Sequence, residues 1–452
     1  MRPPPMPWRA GLAEWHTGVR RQLLQVGRTV MTLIGPALVA FLCALGVALA
    51  VYAVLPYGAA NTLSIALASG SVVAMSQCLI LAARPRLLEP LFGGLDRMYR
   101  VHKWLGISAM ALMIGHQLVE PHFKRWTPET SIGELAGETG EFALYGFIGL
   151  ILVSWFKRLP YLNLEIPYQL WRLSHRLTGV LFAIVSFHQL FTDKPIAAGT
   201  SLSLYLNAFC VAGLCAYAYT ELLAPRLRRR EFEVSDIVRR GSVADVLLAP
   251  RSKVLHWKPG QFAFVSSPDA GMSEPHPFTI ASAPRDTGEI RFAIKSLGDW
   301  TRRLPTTLRQ GMLVVVEGPY GRFDFRKGRK QQLWLAGGIG ITPFLAWAES
   351  LKSTEPYTIH LVYCVTTPDE VIGLDVLEKT KARTSRFSID VVISGRDGRL
   401  TARRLTDGAP FPIKDADMFY CGPIGLKTAM ERDLAAMGQS PRSVRAELFE
   451  LP

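Results

Sequence analysis

The stretch that decides the fold is HRLTGVLFAIVSFH, residues 175–188, an apolar run with a histidine at each end. A second stretch, HKWLGISAMALMIGH at residues 102–116, repeats the arrangement with one more residue between its histidines. Ionisable side chains inside a membrane-spanning segment are costly and are usually functional. Two stretches with nearly the same spacing therefore indicate paired ligands rather than two unrelated packing histidines.

Other apolar stretches approach the length of about 20 residues that a helix needs to cross a bilayer. The sequence predicts six spans, at residues 30–55, 62–82, 102–119, 141–156, 175–191 and 202–224, after an N-terminal tail at 1–29. Lys and Arg concentrate in this tail and in the segments that follow the second, fourth and sixth spans. The opposite side has only Lys124, Arg125 and Lys194.

Because basic loops stay in the cytoplasm, we expect both termini on the cytoplasmic side of a bacterial-type plasma (inner) membrane, with the spans in contact with lipid. The formal net charge of +14 is attributed to these loops. We therefore expect no nucleic-acid partner, although a basic chain can in principle have one.

The third and fifth predicted spans both run outwards from the cytoplasm, so their like ends are neighbours. His102 is expected to face His175 near the cytoplasm, and His116 is expected to face His188 near the outer surface. At 1.5 Å per residue the two levels lie about 20 Å apart. Two imidazoles fill both axial positions of a haem iron. The sequence therefore predicts two b-type haems that carry electrons.

The two histidine spacings differ in one respect. Fourteen residues return a helix to nearly the same face, but thirteen do not. We therefore expect either a distortion within 175–188, with Gly179 and Ser186 as candidate positions, or two haems that differ in rotation. Four basic residues lie at the cytoplasmic ligand level: Arg100, Lys103, Arg172 and Arg176. Pairing with haem propionates and ordinary loop charge explain them equally well.

Beyond the sixth span, residues 231–327 show short alternating strands bounded by Pro and Gly, a pattern typical of a small antiparallel barrel. The segment His276–Thr279 offers an aromatic ring and a hydroxyl that could cover a flavin. Lys295 precedes a Gly turn into a helix at Gly298–Thr301, where N–H groups can bind a pyrophosphate. Each motif alone is equally compatible with a plain strand and turn.

Residues 330–452 alternate strands and helices. A buried strand leads into the Gly-rich turn Gly337–Pro343, a cradle for a dinucleotide phosphate at a helix N-terminus. The last buried strand ends in Cys421-Gly422-Pro423, where strand ends form a ligand crevice. The expected fold is multidomain: a six-helix transmembrane di-haem bundle over 30–224, an antiparallel β-barrel FAD domain and an α/β NAD(P)H domain.

These residues, in this order, resemble the ferric reductase and NADPH oxidase superfamily from about residue 30 onwards. The resemblance implies FAD contacts from His276, Pro277, Phe278 and Thr279, and contacts to its phosphates from Lys295, Gly298 and Thr301. It implies an NAD(P)H pyrophosphate loop made of Gly337, Gly338, Gly340, Thr342 and Pro343, with Cys421 and Gly422 beside the nicotinamide. Glu447 and Phe449 resemble a terminal segment whose aromatic ring shields the flavin. The implied catalytic residues are Thr279, Cys421, Glu447 and Phe449.

The resemblance implies a flow of electrons from cytosolic NAD(P)H through FAD and two haems to an external acceptor, a ferric chelate or dioxygen. The animal oxidases of this superfamily have a second outer histidine in the third span and an arginine on the outer side of the second span. Here Glu120 stands at the histidine position, and residues 56–70 contain no arginine. Specific superoxide formation is therefore not implied. An electron-relay subunit that serves a partner protein or a quinone is the alternative. NADPH and NADH both stay open, with four candidate ligands for a 2′-phosphate: Arg396, Arg399, Arg403 and Arg404.

Overall fold

The structure is a computed structural model that describes residues 33–155, 158–159, 164–165, 168–251, 253–268 and 272–447. The predicted tail at 1–29 and Phe449 lie outside the described residues. The chain divides into two compact units, which meet in sequence at Arg226 and Leu227.

The first unit is helical. Its helices are α1 Leu33–Tyr57, α2 Ala59–Ala82, α3 Leu95–Leu118, α4 Ser131–Trp155, α5 Tyr168–Arg176, α6 Thr178–Phe191 and α7 Ser201–Arg228. A short antiparallel pair, β1 Arg158–Leu159 and β2 Leu164–Glu165, lies between α4 and α5. Helix α2 packs against α3 and α7, and α4 packs against α6.

Within the described residues, four helices are long and apolar enough to cross a membrane: α1, α2, α4 over Ser131–Ser154, and α7. Helix α3 has 24 residues, but its first turns carry Asp96, Arg97, Arg100 and Lys103. The α5–α6 segment is divided into helices of 9 and 14 residues. The two segments that carry the histidine pairs are thus the two that composition and length alone do not identify.

The distortion expected between His175 and His188 is confirmed, and it lies at Leu177. The Leu177 N–H donates to the Ser174 carbonyl, 3.0 Å away, which is the tighter turn that ends α5. The Thr178 hydroxyl donates to the His175 carbonyl at 2.7 Å. The break lies two residues before Gly179, one of the two expected positions, where the Tyr217 ring leaves no room for a Cβ.

Small polar residues join the helices of this unit. Ser71 Oγ donates to the Ala109 carbonyl of α3 at 2.8 Å, and Ser76 Oγ donates to the Phe209 carbonyl of α7 at 2.6 Å. Both serines are buried. Hydrogen bonds of this kind, between small residues that let helices approach closely, are typical of helix packing inside a membrane.

The second unit begins with a six-stranded antiparallel sheet. Its strands are β3 Arg229–Arg240, β4 Val243–Pro250, β5 Phe262–Ser266, β6 His276–Thr279, β7 Ile290–Lys295 and β8 Leu313–Tyr320, in the order β6-β5-β8-β3-β4-β7. An isolated bridge between Ile280 and Phe292 joins the two edges, so the sheet curls around a buried core. Helix α8, Asp299–Thr307, follows β7.

A five-stranded parallel sheet completes the unit. Its strands are β9 Gln331–Gly337, β10 Thr358–Val365, β11 Phe387–Ile393, β12 Asp417–Cys421 and β13 Ser443–Glu447, in the order β11-β10-β9-β12-β13. Helices α9 Thr342–Ser350 and α10 Leu374–Arg383 contribute to the core on one face, and α11 Ala402–Gly408 and α12 Ile424–Ala436 to the core on the other. The strand order reverses between β9 and β12, which is where doubly wound folds bind dinucleotides.

Candidate redox sites

The helical unit brings the four histidines together as two pairs. The ring centroids of His102 and His175 lie 6.3 Å apart, and those of His116 and His188 lie 6.4 Å apart. The interplanar angle is 69° in both pairs. These are the pairings that the sequence led us to expect, and the two pairs are nearly identical in geometry.

The spacing fits one metal ion between each pair of rings. Two metal–nitrogen bonds of about 2 Å, with about 1 Å from each nitrogen to its ring centre, place two opposed imidazoles about 6 Å apart. The observed distances of 6.3 and 6.4 Å agree with this value. The residues present therefore fit a bis-imidazole iron at each level.

Backbone carbonyls orient three of the four rings through Nδ1. The Nδ1 of His102 lies 3.0 Å from the Cys78 carbonyl, and that of His188 lies 2.7 Å from the Ala136 carbonyl. The Nδ1 of His116 lies 3.1 Å from the Ser64 carbonyl and 2.8 Å from the Ser64 hydroxyl. A carbonyl can only accept, so Nδ1 carries the proton and Nε2 is left as the atom that can bind a metal. This arrangement is usual for histidine ligands.

The packing of α4 against α6 positions the His188 ring of the His116–His188 pair. Gly140 of α4 faces the His188 ring so closely that a Cβ there would overlap it. Ala136, one turn earlier on the same helix, supplies the carbonyl that His188 contacts. The fourth ring, His175, stacks on Trp171, with centroids 5.4 Å apart and planes inclined by 13°. Sequence analysis missed these supporting residues, although Trp171 lies one turn before His175 and shares its face.

Two of the basic residues that we expect at the cytoplasmic ligand level have partners inside the protein. Arg100 lies 3.4 Å from Asp96, and Arg176 pairs with Glu221 of α7. Arg84, which was not among the four candidates, donates from its Nε to the Tyr99 hydroxyl at 2.6 Å. The Tyr99 ring meets the His102 ring edge-on, with centroids 6.5 Å apart.

The predicted flavin strand is β6. The Thr279 hydroxyl is buried and has no hydrogen-bond partner among the described residues. Such an orphaned polar group is costly and indicates a ligand atom that completes the bond. Trp300 packs against this strand, 4.6 Å from the His276 ring and 5.7 Å from the Phe278 ring between centroids. Pro277 lies between them in β6, opposite Phe264 of β5.

The turn into α8 is ordered by Thr301. Its hydroxyl accepts from the N–H of Leu297 at 2.9 Å and from the N–H of Gly298 at 2.8 Å. These two N–H groups are therefore satisfied within the chain. The first-turn N–H groups of α8 have no acceptor inside the helix, and they are the groups that an anion can reach.

Lys295, which precedes this turn, is held by a carboxylate. Its Nζ lies 2.6 Å from Glu370 Oε1, and both side chains are mostly buried, with 22% and 19% of their surface exposed. Burial alone would raise the pKa of the Glu370 carboxyl, but hydrogen bonds from Lys295 and from the Thr366 N–H bring this pKa below its ordinary value.

Glycines let the loops after β9 and β12 touch through their backbones. A Cβ at Gly340 would overlap the Cys421 carbonyl, and one at Gly422 would lie 2.9 Å from the Gly337 Cα. Gly338 adopts a φ of 54°, in the left-handed region that favours glycine. Thr342 and Pro343 begin α9, with the Thr342 hydroxyl donating to the Ile339 carbonyl at 3.1 Å. The two predicted nucleotide segments are thus adjacent at the sheet's crevice.

Cys421 is fully buried at the end of β12, opposite Glu447 of the neighbouring strand β13. Burial, with the negative charge of Glu447 as a smaller cause, raises the pKa of the Cys421 thiol well above its ordinary value. The side chain is therefore a neutral thiol at physiological pH. Two of the predicted catalytic residues, Cys421 and Glu447, lie side by side, and Phe449 lies outside the described residues.

Two arginines proposed for a 2′-phosphate are already paired. Arg396 Nε lies 2.7 Å from Asp397, and Arg404 contacts Asp390 through two nitrogens at 3.1 and 3.2 Å. The hydrogen bond from Arg396, with one from the Ile393 N–H, lowers the pKa of the Asp397 carboxyl to about 2. The geometry leaves the choice between NADPH and NADH open.

Family models match one segment in each of the two units. Residues 67–186 match the family model of the ferric reductase like transmembrane component, and residues 235–324 match that of an FAD-binding domain. These two domains in this order are the architecture of the ferric reductase and NADPH oxidase superfamily. The chain thus joins a ferric reductase like transmembrane component to an FAD-binding domain, which indicates a transmembrane electron-transfer oxidoreductase.

Individual relatives match parts of the chain. The electron transfer component of toluate 1,2-dioxygenase from Pseudomonas putida is 28% identical over 222 residues, which cover 47% of this chain and 65% of that protein. Mitochondrial ferric reduction oxidase 8 from Arabidopsis thaliana is 28% identical over 249 residues, which cover 51% of this chain and 32% of that protein. The chain spans less than two thirds of the length of these curated relatives.

Among solved structures, the flavohemoglobin of Malassezia yamatoensis with bound FAD and heme is 16% identical, at a TM-score of 0.46. The match covers 89% of this chain and 99% of that one. The FAD/NAD-binding domain of nitric oxide dioxygenase from Vibrio cholerae is 22% identical, at a TM-score of 0.43, and the match covers 49% of this chain and 98% of that one.

Proposed function

We propose that the protein carries electrons from cytosolic NAD(P)H, through FAD and two b-type haems, to a ferric chelate or dioxygen on the outer side of the membrane. When bound, the flavin converts a two-electron hydride donor into single electrons, and the haem irons carry these electrons across the bilayer. The observation that supports the proposal best is the pair of histidine contacts, 6.3 and 6.4 Å between ring centroids on the same two segments of the helical unit.

The four histidines hold iron in this proposal. His102 with His175 forms the cytoplasmic site, and His116 with His188 forms the outer site. Two histidines at each site would leave no open coordination position, so a haem held there would serve electron transfer and not gas binding. The proposal also requires α3 and the α5–α6 segment to cross the membrane beside the four apolar helices, with both termini in the cytoplasm.

In this proposal, residues of the second unit bind and orient FAD and NAD(P)H. Thr279 offers its orphaned hydroxyl to the flavin ring, beside His276, Pro277 and Phe278. The N-terminus of α8, with Lys295, Gly298 and Thr301, holds the FAD phosphates. The glycine loop with Thr342 and Pro343 holds the NAD(P)H pyrophosphate, and Cys421 with Gly422 borders the nicotinamide. Glu447 lies beside Cys421 and, with Phe449, belongs to the segment that excludes water from the flavin.

A haem-content measurement on the purified full chain tests the proposal. We expect two haems per chain in the wild type and one in His116→Ala, with flavin reduction by NAD(P)H retained in both. His122→Ala is the matched control, because this histidine is exposed and its Nδ1 contacts the nearby Glu120 carbonyl, 2.9 Å away. Two haems in His116→Ala would show that His116 is not an axial ligand.

A reduced-minus-oxidised spectrum under argon tests the electron path. We expect NADH or NADPH to reduce the haems only when FAD is present, and we expect the signal to collapse when a ferric chelate or oxygen is admitted. Haem reduction that does not depend on FAD would contradict the proposed order of carriers. A reduced signal that persists with both small acceptors would point to the electron-relay alternative, with a partner protein or quinone as the acceptor.

A further inference from the structure

Two carboxylates of the α/β fold pair with two basic side chains of the antiparallel sheet region. Glu370 Oε1 lies 2.6 Å from Lys295 Nζ, and Glu349 Oε1 lies 3.0 Å from an Arg285 nitrogen. The side chains are similarly shielded, with exposures of 22% and 19% in the first pair and 34% and 28% in the second. Only the first pair involves a residue next to the turn that opens α8.

Glu370 is held rigidly by its own fold. Its Oε2 accepts from the Thr366 N–H at 3.0 Å, and its carbonyl accepts from the buried Tyr363 hydroxyl at 3.1 Å. The residue lies in the short turn Pro368–Glu370, just beyond the carboxyl end of β10. The carboxylate is therefore positioned before any ligand binds, and Lys295 meets it at a fixed place.

This contact changes the electrostatics of the site proposed for the flavin phosphates. A lysine is a compact point charge that attracts phosphate through its net charge. A carboxylate 2.6 Å away partly neutralises that charge. The N–H groups of Leu297 and Gly298 are also satisfied, by Thr301. A pyrophosphate at this turn would therefore bind to the first-turn N–H groups of α8 and to a partly neutralised ammonium.

We propose that Glu370 competes with the flavin pyrophosphate for Lys295, so that the α/β fold restrains FAD binding. The carboxylate and the pyrophosphate are two anions that share one ammonium, and the binding of one weakens the hold of the other. This inference rests on the proposed function, because it takes Lys295 as a ligand of the FAD phosphates.

The dissociation constant of FAD from the purified full chain, measured by titration of flavin fluorescence, tests the competition. Glu370→Gln keeps the size of the side chain and removes its charge, so we expect FAD to bind about tenfold more tightly. Glu349→Gln removes the charge of the other, similarly shielded pair, and we expect FAD affinity to stay within about twofold of the wild type. Riboflavin, which lacks the pyrophosphate, should bind Glu370→Gln and the wild type equally.

Lys295→Gln distinguishes a failure of the flavin-phosphate assignment from a failure of the competition. We expect it to weaken FAD binding, with riboflavin binding unchanged. If Lys295→Gln binds FAD as the wild type does, Lys295 does not serve the phosphates and that part of the proposed function is wrong. If Lys295→Gln weakens FAD but Glu370→Gln does not strengthen it, the flavin assignment stands and the competition is refuted. A gain in Glu349→Gln equal to that in Glu370→Gln would also refute it.

Discussion

Replacing Gly140 by alanine should remove the proposed outer haem, although Gly140 is not itself a proposed ligand. Gly140 lies on α4, against the ring of His188 on α6. A Cβ at this position would lie 2.6 Å from His188 Cε1 and 2.9 Å from Cγ. Gly137 lies one turn earlier on the same helix, and a Cβ there would meet no heavy atom within 4 Å. The pair Gly140→Ala and Gly137→Ala therefore separates ring displacement from the general effect of alanine in a helix.

The expected displacement is large on the scale of a metal site. Moving the contact from 2.6 Å to the ordinary limit of 3.4 Å requires the ring or the helix to shift by about 0.8 Å. Ligand distances in a metal site hold to within about 0.2 Å. Overpacking of this kind costs about 1–3 kcal/mol, whereas alanine in place of glycine inside a helix contributes about 0.5–1 kcal/mol of stability. We expect Gly140→Ala to fold and to bind one haem, and Gly137→Ala to bind two.

The assay is haem per chain from the pyridine haemochrome, with a reduced-minus-oxidised spectrum of each variant. Flavin reduction by NAD(P)H, followed with a soluble dye, checks that the reductase unit is intact. Two haems with an unshifted spectrum in Gly140→Ala would refute the assignment of His188 as a ligand in the observed geometry. Loss of haem in Gly137→Ala as well would show that the helix, and not the ring contact, is responsible.

Three further predictions concern the reductase unit. Thr279→Val should slow flavin reduction by up to about tenfold, because the proposed hydrogen bond from Thr279 to the flavin would contribute about 0.5–1.5 kcal/mol. Stopped-flow absorbance measures the rate, and Thr306→Val at an exposed position is the control. Gly340→Ala should raise the KM for NAD(P)H at least tenfold (about 1.4 kcal/mol) with FAD content unchanged, because its Cβ would overlap the Cys421 carbonyl. In the control Gly425→Ala the new Cβ meets no heavy atom within 4 Å, so the KM should stay unchanged. Because the pKa of the Cys421 thiol is raised, the folded state keeps a proton that the unfolded state loses above about pH 8.5. The unfolding midpoint should therefore fall more steeply with rising pH in the wild type than in Cys421→Ala. Equal slopes would contradict this prediction.

The pairing of the four intramembrane histidines could be predicted from the sequence alone. The spacing of histidines along a helix fixes their depth, so His102 and His175 could be matched, as could His116 and His188, before any contact was known. The glycine run at 337–340 and the strand end at Cys421 likewise specified a nucleotide crevice, because backbone approach and helix N-termini require those residue types locally. Of the six predicted spans, four coincide with described helices that are long and apolar enough to cross a membrane, since hydropathy is a property of each segment.

Other features depend on contacts between residues that are distant in sequence, and these contacts exist only in the folded protein. The acceptors of the histidine Nδ1 atoms are carbonyls, which every residue has, so no pattern marks Ser64 or Ala136. The pairing of Lys295 with Glu370 joins positions 75 residues apart, and both are ordinary surface residue types. Local propensity sets which elements form, but the position of a carboxylate beside an ammonium, or of a glycine beside an imidazole ring, is set by how those elements pack.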